Sequence, residues 1–551
     1  MRTIGAVMAA AVIGAAVAVP AMPTVAVPAM PAVAVPPAGR DAPRVEEVSL
    51  GDIAAALAAR RATAEGVTRA YLARIAAMDR QGPALHSVIA TNPDAIAQAR
   101  ASDARRRAGT PLGPLDGVPI LVKDNIETRD PMPTTAGSLA LKDNLTGRDA
   151  PVIARLRAAG AVILGKTNLS EWANIRSSAS MSGWSAIGGL VRNPYALDRS
   201  ACGSSSGTGA AIAASFAAAG IGTETDGSVV CPSSMNGLVG LKPTVGMVSR
   251  THIVPISHSQ DTAGPMGRSV ADVAMLFSAM VGSDPADPAT SGADAQRRDY
   301  AAGLRADALA GRRIGVIRPP AMRPALAARY DAALAALKRA GAVLVDVTPP
   351  KAEGIAAAEF DVLKMELKSD LAAYLASTPA TVATRSLADV IAFNTAHAAQ
   401  EMPFFGQEVF EAAQATGGVD DPGYRAARAT SLRLAGAEGI DAMLAAAEAT
   451  LLVAPSYGMA WLSDPVYGDQ FQGPSASELP AIAGYPHLTV PMGLAAGLPV
   501  GLSFIGPAWS DGAVLAAGYA YEQASHARVA PRYPPTVAGT AGGEGGSTSR
   551  R

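Results

Sequence analysis

The sequence predicts a layered α/β fold in one large domain, and three observations carry that expectation. Helix-patterned segments stop at a glycine and run straight into short β-branched stretches, as in 150–159, Gly160, 161–164 and in 324–340, Gly341, 342–347. Apolar runs such as Val118-Pro119-Ile120-Leu121-Val122 have the length and composition of strands buried on both faces. The chain has 551 residues, 49% of them hydrophobic, and shows no linker between Glu46 and Pro535, so one large core is expected.

The elements follow in order. Residues 50–60 and 63–80 read as helices; Val67, Tyr71, Ile75 and Met78 share one face of the second, and Thr63 is its candidate N-cap. A short strand is expected at 86–90 and a charged amphipathic helix at 94–108. Residues 117–122 form a buried strand with Lys123 at its end. The helix at 150–159 takes Asp149 as candidate N-cap, and Gly160 stops it before the strand 161–164. Further on, 313–317, 342–347, 450–454, 487–491 and 500–505 read as strands. Residues 324–340, 357–376, 421–446 and 511–524 read as helices.

Both ends fall outside this domain. Arg2, the apolar run Ile4 to Val17 and the small-x-small site Ala16-Val17-Ala18 predict a signal peptide over 1–18 and an exported protein. The run is short for a membrane span. Residues 19–45 read as an Ala/Pro-rich disordered spacer, 46–535 as the folded domain, and 536–551 as a disordered Gly/Ser tail. The net charge of −1 gives no electrostatic argument for nucleic acid or an anionic membrane.

The chemistry concentrates between Ser200 and Pro243. Two serines sit on glycine turns, Gly203-Ser204-Ser205-Ser206-Gly207 and Asp226-Gly227-Ser228. Such turns expose backbone amides, so a serine there can attack a carbonyl while the amides hold the oxyanion. Ser228 follows a strand end and a tight turn, which gathers the amides of Thr225, Asp226 and Gly227 around one point. Lys123 ends an apolar strand. A lysine there ordinarily reaches solvent, but a buried one has a lowered pKa and serves as a neutral base. Only eight lysines occur in the chain, which makes each harder to dismiss as surface filler. An alternative is an α/β-hydrolase esterase with Ser205 as nucleophile in G-x-S-x-G. It needs a strand directly before the turn and a histidine partner. Residues 193–199 read as a loop, and none of the six histidines has a persuasive setting. Cys202 and Cys231 read as two small buried residues beside the turns rather than a bridge. No Cys/His cluster has metal spacing, so a structural zinc is not expected, and a serine nucleophile with a lysine base needs neither metal nor organic cofactor.

Taken together, these motifs resemble the amidase signature family of serine hydrolases. The two serine turns and Gly237-Leu238-Val239-Gly240-Leu241-Lys242-Pro243-Thr244 follow the family's signature block in order and spacing. Gly117-Val118-Pro119-Ile120 with Lys123-Asp124-Asn125, Gly165-Lys166-Thr167-Asn168, and Ala483-Gly484-Tyr485-Pro486 match as well, so the resemblance spans about residues 48–535. Thr223-Glu224-Thr225-Asp226-Gly227-Ser228 in place of the common Thr-Asp-Thr-Gly-Gly-Ser, Val230-Cys231-Pro232, and the stretch Ser257 to Pro265 make the chain most similar, within the family, to the bacterial peptide amidases. The resemblance implies a single α/β/α amidase domain around a mixed, mostly parallel twisted sheet. It implies a Ser–Ser–Lys triad: Ser228 as nucleophile, Ser204 as bridging serine on a cis peptide after Gly203, and Lys123 as base. The implied reaction is amide hydrolysis through a seryl acyl-enzyme, releasing ammonia from C-terminally amidated peptides or amino acid amides. A broad aliphatic or aryl amidase is the alternative. The glutamyl-tRNA amidotransferase subunit shares the core but works inside the cell, which the export signal opposes. The expected partners are a small-molecule or peptide amide, with no nucleic acid and no membrane after cleavage, in a monomer or simple homodimer. Ser177 and Ser178 could line the site but read as structural, and Trp172, Trp184 and Trp461 as core aromatics with a possible place in an acyl pocket.

Overall fold

Alternation of buried strands with helices is what the chain builds. The computed structural model describes residues 43–537; the signal peptide, most of the spacer and nearly all of the tail lie outside the described residues. In chain order the strands are β1 (Val88–Thr91), β2 (Pro119–Lys123), β3 (Val162–Thr167), β4 (Trp184–Ser185), β5 (Gly189–Leu190), β6 (Ala219–Glu224), β7 (Val239–Lys242), β8 (Thr262–Gly267), β9 (Arg313–Ile317), β10 (Val343–Val347), β11 (Leu451–Pro455), β12 (His487–Ala495) and β13 (Leu498–Ile505). β4 and β5 pair as a small hairpin, and the other eleven form one sheet ordered β1-β3-β2-β6-β8-β7-β12-β13-β11-β9-β10. Among the described residues no helix is long and apolar enough to cross a membrane.

Helices cover both faces, because alternate strand residues point opposite ways. In β12, Leu488 and Val490 face the helix Asp511–Ser525: a Cβ on Gly518 of that helix would lie 2.3 Å from Leu488. Thr489 faces the other side, where it meets Gly501 and, nearby, Ser234 of the helix Val230–Met235. That is the expected α/β/α layering.

The direction of the strands differs from expectation. The sheet is mixed, but six of its ten neighbouring pairs are antiparallel and four parallel. The reason lies in β8. The helix Val230–Met235 crosses over between β6 and β7, which therefore point the same way, but β8 inserts between them and runs antiparallel to both. A two-residue turn at Ala496 and Gly497, both at positive φ, adds the β12–β13 hairpin. Helix–strand alternation reveals crossovers but not which strand slips between them. β7 and β8 were also hidden, because Val239–Lys242 and Thr262–Gly267 carry glycine and proline. The glycines permit contact: a Cβ on Gly264 would lie 2.2 Å from the Leu241 carbonyl oxygen.

Local expectations fare unevenly. Thr63 caps its helix, accepting the Gly66 N–H at 3.0 Å. Asp149 does not cap the next; that helix begins at Pro151 after Ala150, and Asp149 accepts instead from the Arg129 amide and the Arg157 guanidinium. Residues 421–446 are not one helix. A wide turn over Gly436–Ile440 separates Tyr424–Ala435 from Asp441–Ala447.

Cys202 and Cys231 are joined by a disulfide with Cα atoms 6.0 Å apart, correcting the reading of two unbonded cysteines. A spacing of 29 residues carries no geometric information; the turns meet only once the sheet has formed. Closing a loop of that length stabilises the folded chain by about 3–4 kcal/mol in the chain-entropy account. Reduction with a phosphine should therefore lower the urea midpoint measurably, and an unchanged midpoint would show that the bridge carries no stability.

Candidate active site

The site forms where β2 and β6, which are parallel, come to their C-terminal ends. β2 is Pro-Ile-Leu-Val-Lys and buried throughout, so its terminal lysine enters the interior rather than solvent. The Lys123 Nζ donates to Ser204 Oγ at 2.7 Å, to Thr223 Oγ1 at 2.8 Å and to the Thr223 carbonyl at 3.3 Å. Burial lowers its pKa from 10.5 to about 7, against a smaller upward pull from Asp261 and Glu224. A substantial fraction of the amine is thus uncharged near neutral pH.

Ser204 is presented by a sharp backbone turn. The Gly203–Ser204 peptide is cis, as the resemblance implies, and the helix Ser206–Ala213 starts two residues later. Small residues let that helix sink onto the sheet: a Cβ on Gly207 would lie 2.4 Å from the Asn168 carbonyl oxygen.

The third residue, Ser228, rides on the turn after β6. Glu224, the last residue of that strand, accepts the Val229 and Val230 amides through Oε2 at 2.7 and 2.9 Å. This carboxylate ties the turn closed and caps the following helix. Gly227 adopts φ 78°, and a Cβ there would fall 2.0 Å from Tyr457 Oη. The amides of Thr225, Asp226 and Gly227 make no hydrogen bond to a described residue, which leaves them free for an anion. Thr225 is held from behind, its hydroxyl donating to Asp261 Oδ1 at 2.6 Å. Asp226 is half-buried beside these amides, its carboxyl pushed up by burial.

The two turns meet directly. The Ser205 amide donates to the Ser228 carbonyl at 3.1 Å, and the disulfide links Cys202 to Cys231 alongside. The Ser205 hydroxyl is fully buried and engaged: it donates to the Thr223 carbonyl at 3.1 Å and accepts the Thr223 amide at 3.2 Å. No described histidine hydrogen-bonds a serine of either turn, so Ser205 lacks the partner an esterase nucleophile needs. Ser177 and Ser178 bind Glu408 at 2.9 and 2.8 Å and are structural. Trp184 belongs to a separate cluster with Phe405, and Trp461 packs beside the disulfide.

Three further residues shape the site without standing out in the sequence. Thr223 holds the lysine and Glu224 the serine turn, and Asp261 anchors Thr225 from a loop well beyond Ser228. For the first two a signal existed, since they immediately precede the turn; for Asp261 the likeness of residues 257–265 to the peptide amidases marks the segment but not the contact. Elsewhere, His258, Glu366 and Asp370 bring ligand-type atoms within 4.8 Å of one another. They satisfy one another and Ser259, with His258 Nδ1 2.9 Å from Asp370 Oδ2.

The family model described as Amidase matches residues 66–515. The chain belongs to the amidase family. This amidase is 38% identical over 500 residues to a probable amidase of Arabidopsis thaliana, covering 89% of this chain and 92% of that one. It is 35% identical over 512 residues to a glutamyl-tRNA(Gln) amidotransferase subunit of Salinispora arenicola, covering 89% and 99%. Among solved structures, the native peptide amidase from Stenotrophomonas maltophilia superposes with a TM-score of 0.85 at 51% identity, over 88% of this amidase and 99% of that chain.

Replacing Gly227 by Ala forces the Tyr457 contact and a strained φ on the turn. The substitution keeps the amide N–H but moves it, and losing the contact of one oxyanion donor costs about a hundredfold or more. Gly227→Ala should therefore lose amidase activity by that factor while circular dichroism stays native; wild-type turnover would sink the assignment of these amides.

Proposed function

We propose that this amidase hydrolyses carboxamides through a seryl acyl-enzyme, with C-terminally amidated peptides or amino acid amides as substrates and ammonia as product. The observation that carries the reading is the 2.7 Å contact between a fully buried Lys123 Nζ and Ser204 Oγ, with the amine held down to about 7 by burial. The 51% identity to a peptide amidase favours the peptide amide class.

In this mechanism the uncharged Lys123 draws the proton from Ser204, Ser204 draws it from Ser228, and the Ser228 oxygen attacks the amide carbonyl. The carbonyl oxygen turns its developing charge toward the Thr225, Asp226 and Gly227 amides. The proton returns by the same route to the departing nitrogen, which leaves as ammonia. Water then attacks the acyl-enzyme with the relay acting as base again, and the carboxylic acid departs.

Ser228→Ala and Lys123→Ala should each abolish ammonia release from an amidated peptide, and Ser228→Ala should abolish labelling by a fluorophosphonate. Full labelling of Ser228→Ala would refute the nucleophile. The sign of the pH dependence follows from the base being active when deprotonated. kcat/KM should rise with pH through about 7 and fall about tenfold per unit on the acidic side. A profile that stays flat on acidification would exclude an amine base.

A further inference from the structure

The loop 256–261, just before β8, takes hold of Thr225 at two points. The Thr225 hydroxyl donates to Asp261 Oδ1 at 2.6 Å, and Gln260 Nε2 donates to the Thr225 carbonyl at 3.3 Å. Gln260 is 0% exposed, and its Nε2 also donates to Glu359 Oε1 at 2.8 Å. A backbone carbonyl only accepts. Turning the carboxamide over would set oxygen against oxygen, so the NH₂ end must face Thr225.

The loop is itself fastened to one face of the helix Ile355–Ala376. Glu359, Glu366 and Asp370 are spaced seven and four residues apart, which puts all three on that face. Glu359 holds Gln260. Glu366, fully buried, accepts the Ser257 hydroxyl, the Ser259 amide at 3.1 Å and the Ser259 hydroxyl at 2.5 Å. Asp370 accepts the His258 amide at 2.8 Å. Every residue from Ser257 to Gln260 is thus bonded to the same helix. Burying carboxylates is costly, and the helix does not need them to pack, since Val362, Leu367 and Leu371 are buried along it. What the three carboxylates hold in common is the loop that grips Thr225.

A peptide unit is planar, and in the trans form its C=O and N–H point opposite ways. Gly203–Ser204 is the one cis peptide among the described residues, so the Thr225–Asp226 unit is trans. A donor on the Thr225 carbonyl therefore sets where the Asp226 N–H points. We infer that Gln260 is a positioning residue, steadied by Glu359, that aims the Asp226 N–H at the oxyanion of the tetrahedral intermediate. The inference rests on the proposed seryl mechanism, in which that amide is one of three donors. An aimed donor acts on the transition state more than on bound substrate, because the oxygen swings into line only as the carbonyl becomes tetrahedral.

The test compares two inhibitors, N-acetyl-leucinal and N-acetyl-leucinol. The aldehyde adds Ser228: the Oγ–C bond forms, the carbonyl π electrons move to the oxygen, and the serine proton passes to the relay. The alcohol has the same frame and cannot add. Wild type should bind the aldehyde at least about a hundredfold tighter than the alcohol. Gln260→Met, nearly isosteric but without the donor, should weaken the aldehyde about tenfold and leave the alcohol unchanged. Its kcat for N-acetyl-leucinamide should fall by the same factor at unchanged KM. Glu359→Leu, which leaves Gln260 in place but unheld, should separate the two inhibitors in the same sense. Glu359→Gln, which keeps an acceptor, should behave as wild type. Gln260→Met/Glu359→Leu should be no worse than Gln260→Met alone, because the two residues act as one. The inference is overturned if either Gln260→Met or Glu359→Leu shifts both inhibitors equally, as a general loosening of the fold would, or shifts neither. It is equally overturned if the double variant is additive. Wild type binding the aldehyde no tighter than the alcohol would refute the oxyanion reading itself, and this inference with it.

Discussion

One buried amine governs the arrangement. Removing a lysine from water disfavours its charged form, and at Lys123 that cost outweighs the pull of Asp261 and Glu224. The amine is not abandoned, because Ser204 Oγ and both oxygens of Thr223 surround it. These are neutral oxygens. They satisfy the N–H groups without a carboxylate to fix the charge. β2 is buried along its whole length, and Lys123 at its end is 0% exposed.

Two other fully buried lysines show how narrow that condition is. Lys166 lies on the neighbouring strand β3, 3.3 Å from Asp124 Oδ1, and also donates to the Ile126 carbonyl and Thr134. It pins the segment after β2, and Asp124 in turn holds Thr135. Lys242 ends β7, donates to the Pro243 carbonyl, and has its pKa lowered to about 8 by burial, against the upward pull of Glu224 and Asp511. All three end or nearly end strands of one sheet. Only Lys123 meets a serine on the face where the two turns converge. What sets Lys123 apart from the two other buried lysines is its partner, not its burial.

How much of this could be read beforehand divides along physical lines. The α/β class, β2, β3, β9 and β10 and the close of the chain were visible, because crossovers leave a 3.6-residue pattern followed by a β-branched run. Lys123, Ser204 and Ser228 were visible because glycine turns and a lysine in an apolar strand are unusual chemistry in unusual places. Strands β7 and β8 were not, since glycines at close chain approaches erase the strand signature. The contacts of Thr223 and Asp261 were not, because a threonine in a strand and an aspartate in a loop look the same whether or not they touch Lys123 or the Ser228 turn. The disulfide was open for a related reason: sequence distance between Cys202 and Cys231 says nothing about how near the turns lie once the sheet has formed. Asp149 failed as a cap because Pro151 already starts that helix without a side-chain donor-acceptor pair.

The interleaving of β8 between β6 and β7 makes the Ser228 turn depend on residues well beyond it. The strand leading to Ser228 has no neighbour on that edge until residues 262–267 fill it. Along the chain, Ser228 comes well before the reversed strand that braces its turn. A fragment ending at residue 261 therefore carries Lys123, Ser204 and Ser228 yet leaves β6 with an open edge and the Thr225 anchor at its frayed terminus. Truncation downstream of the serines removes the bracing of the very turn that truncation through them removes outright.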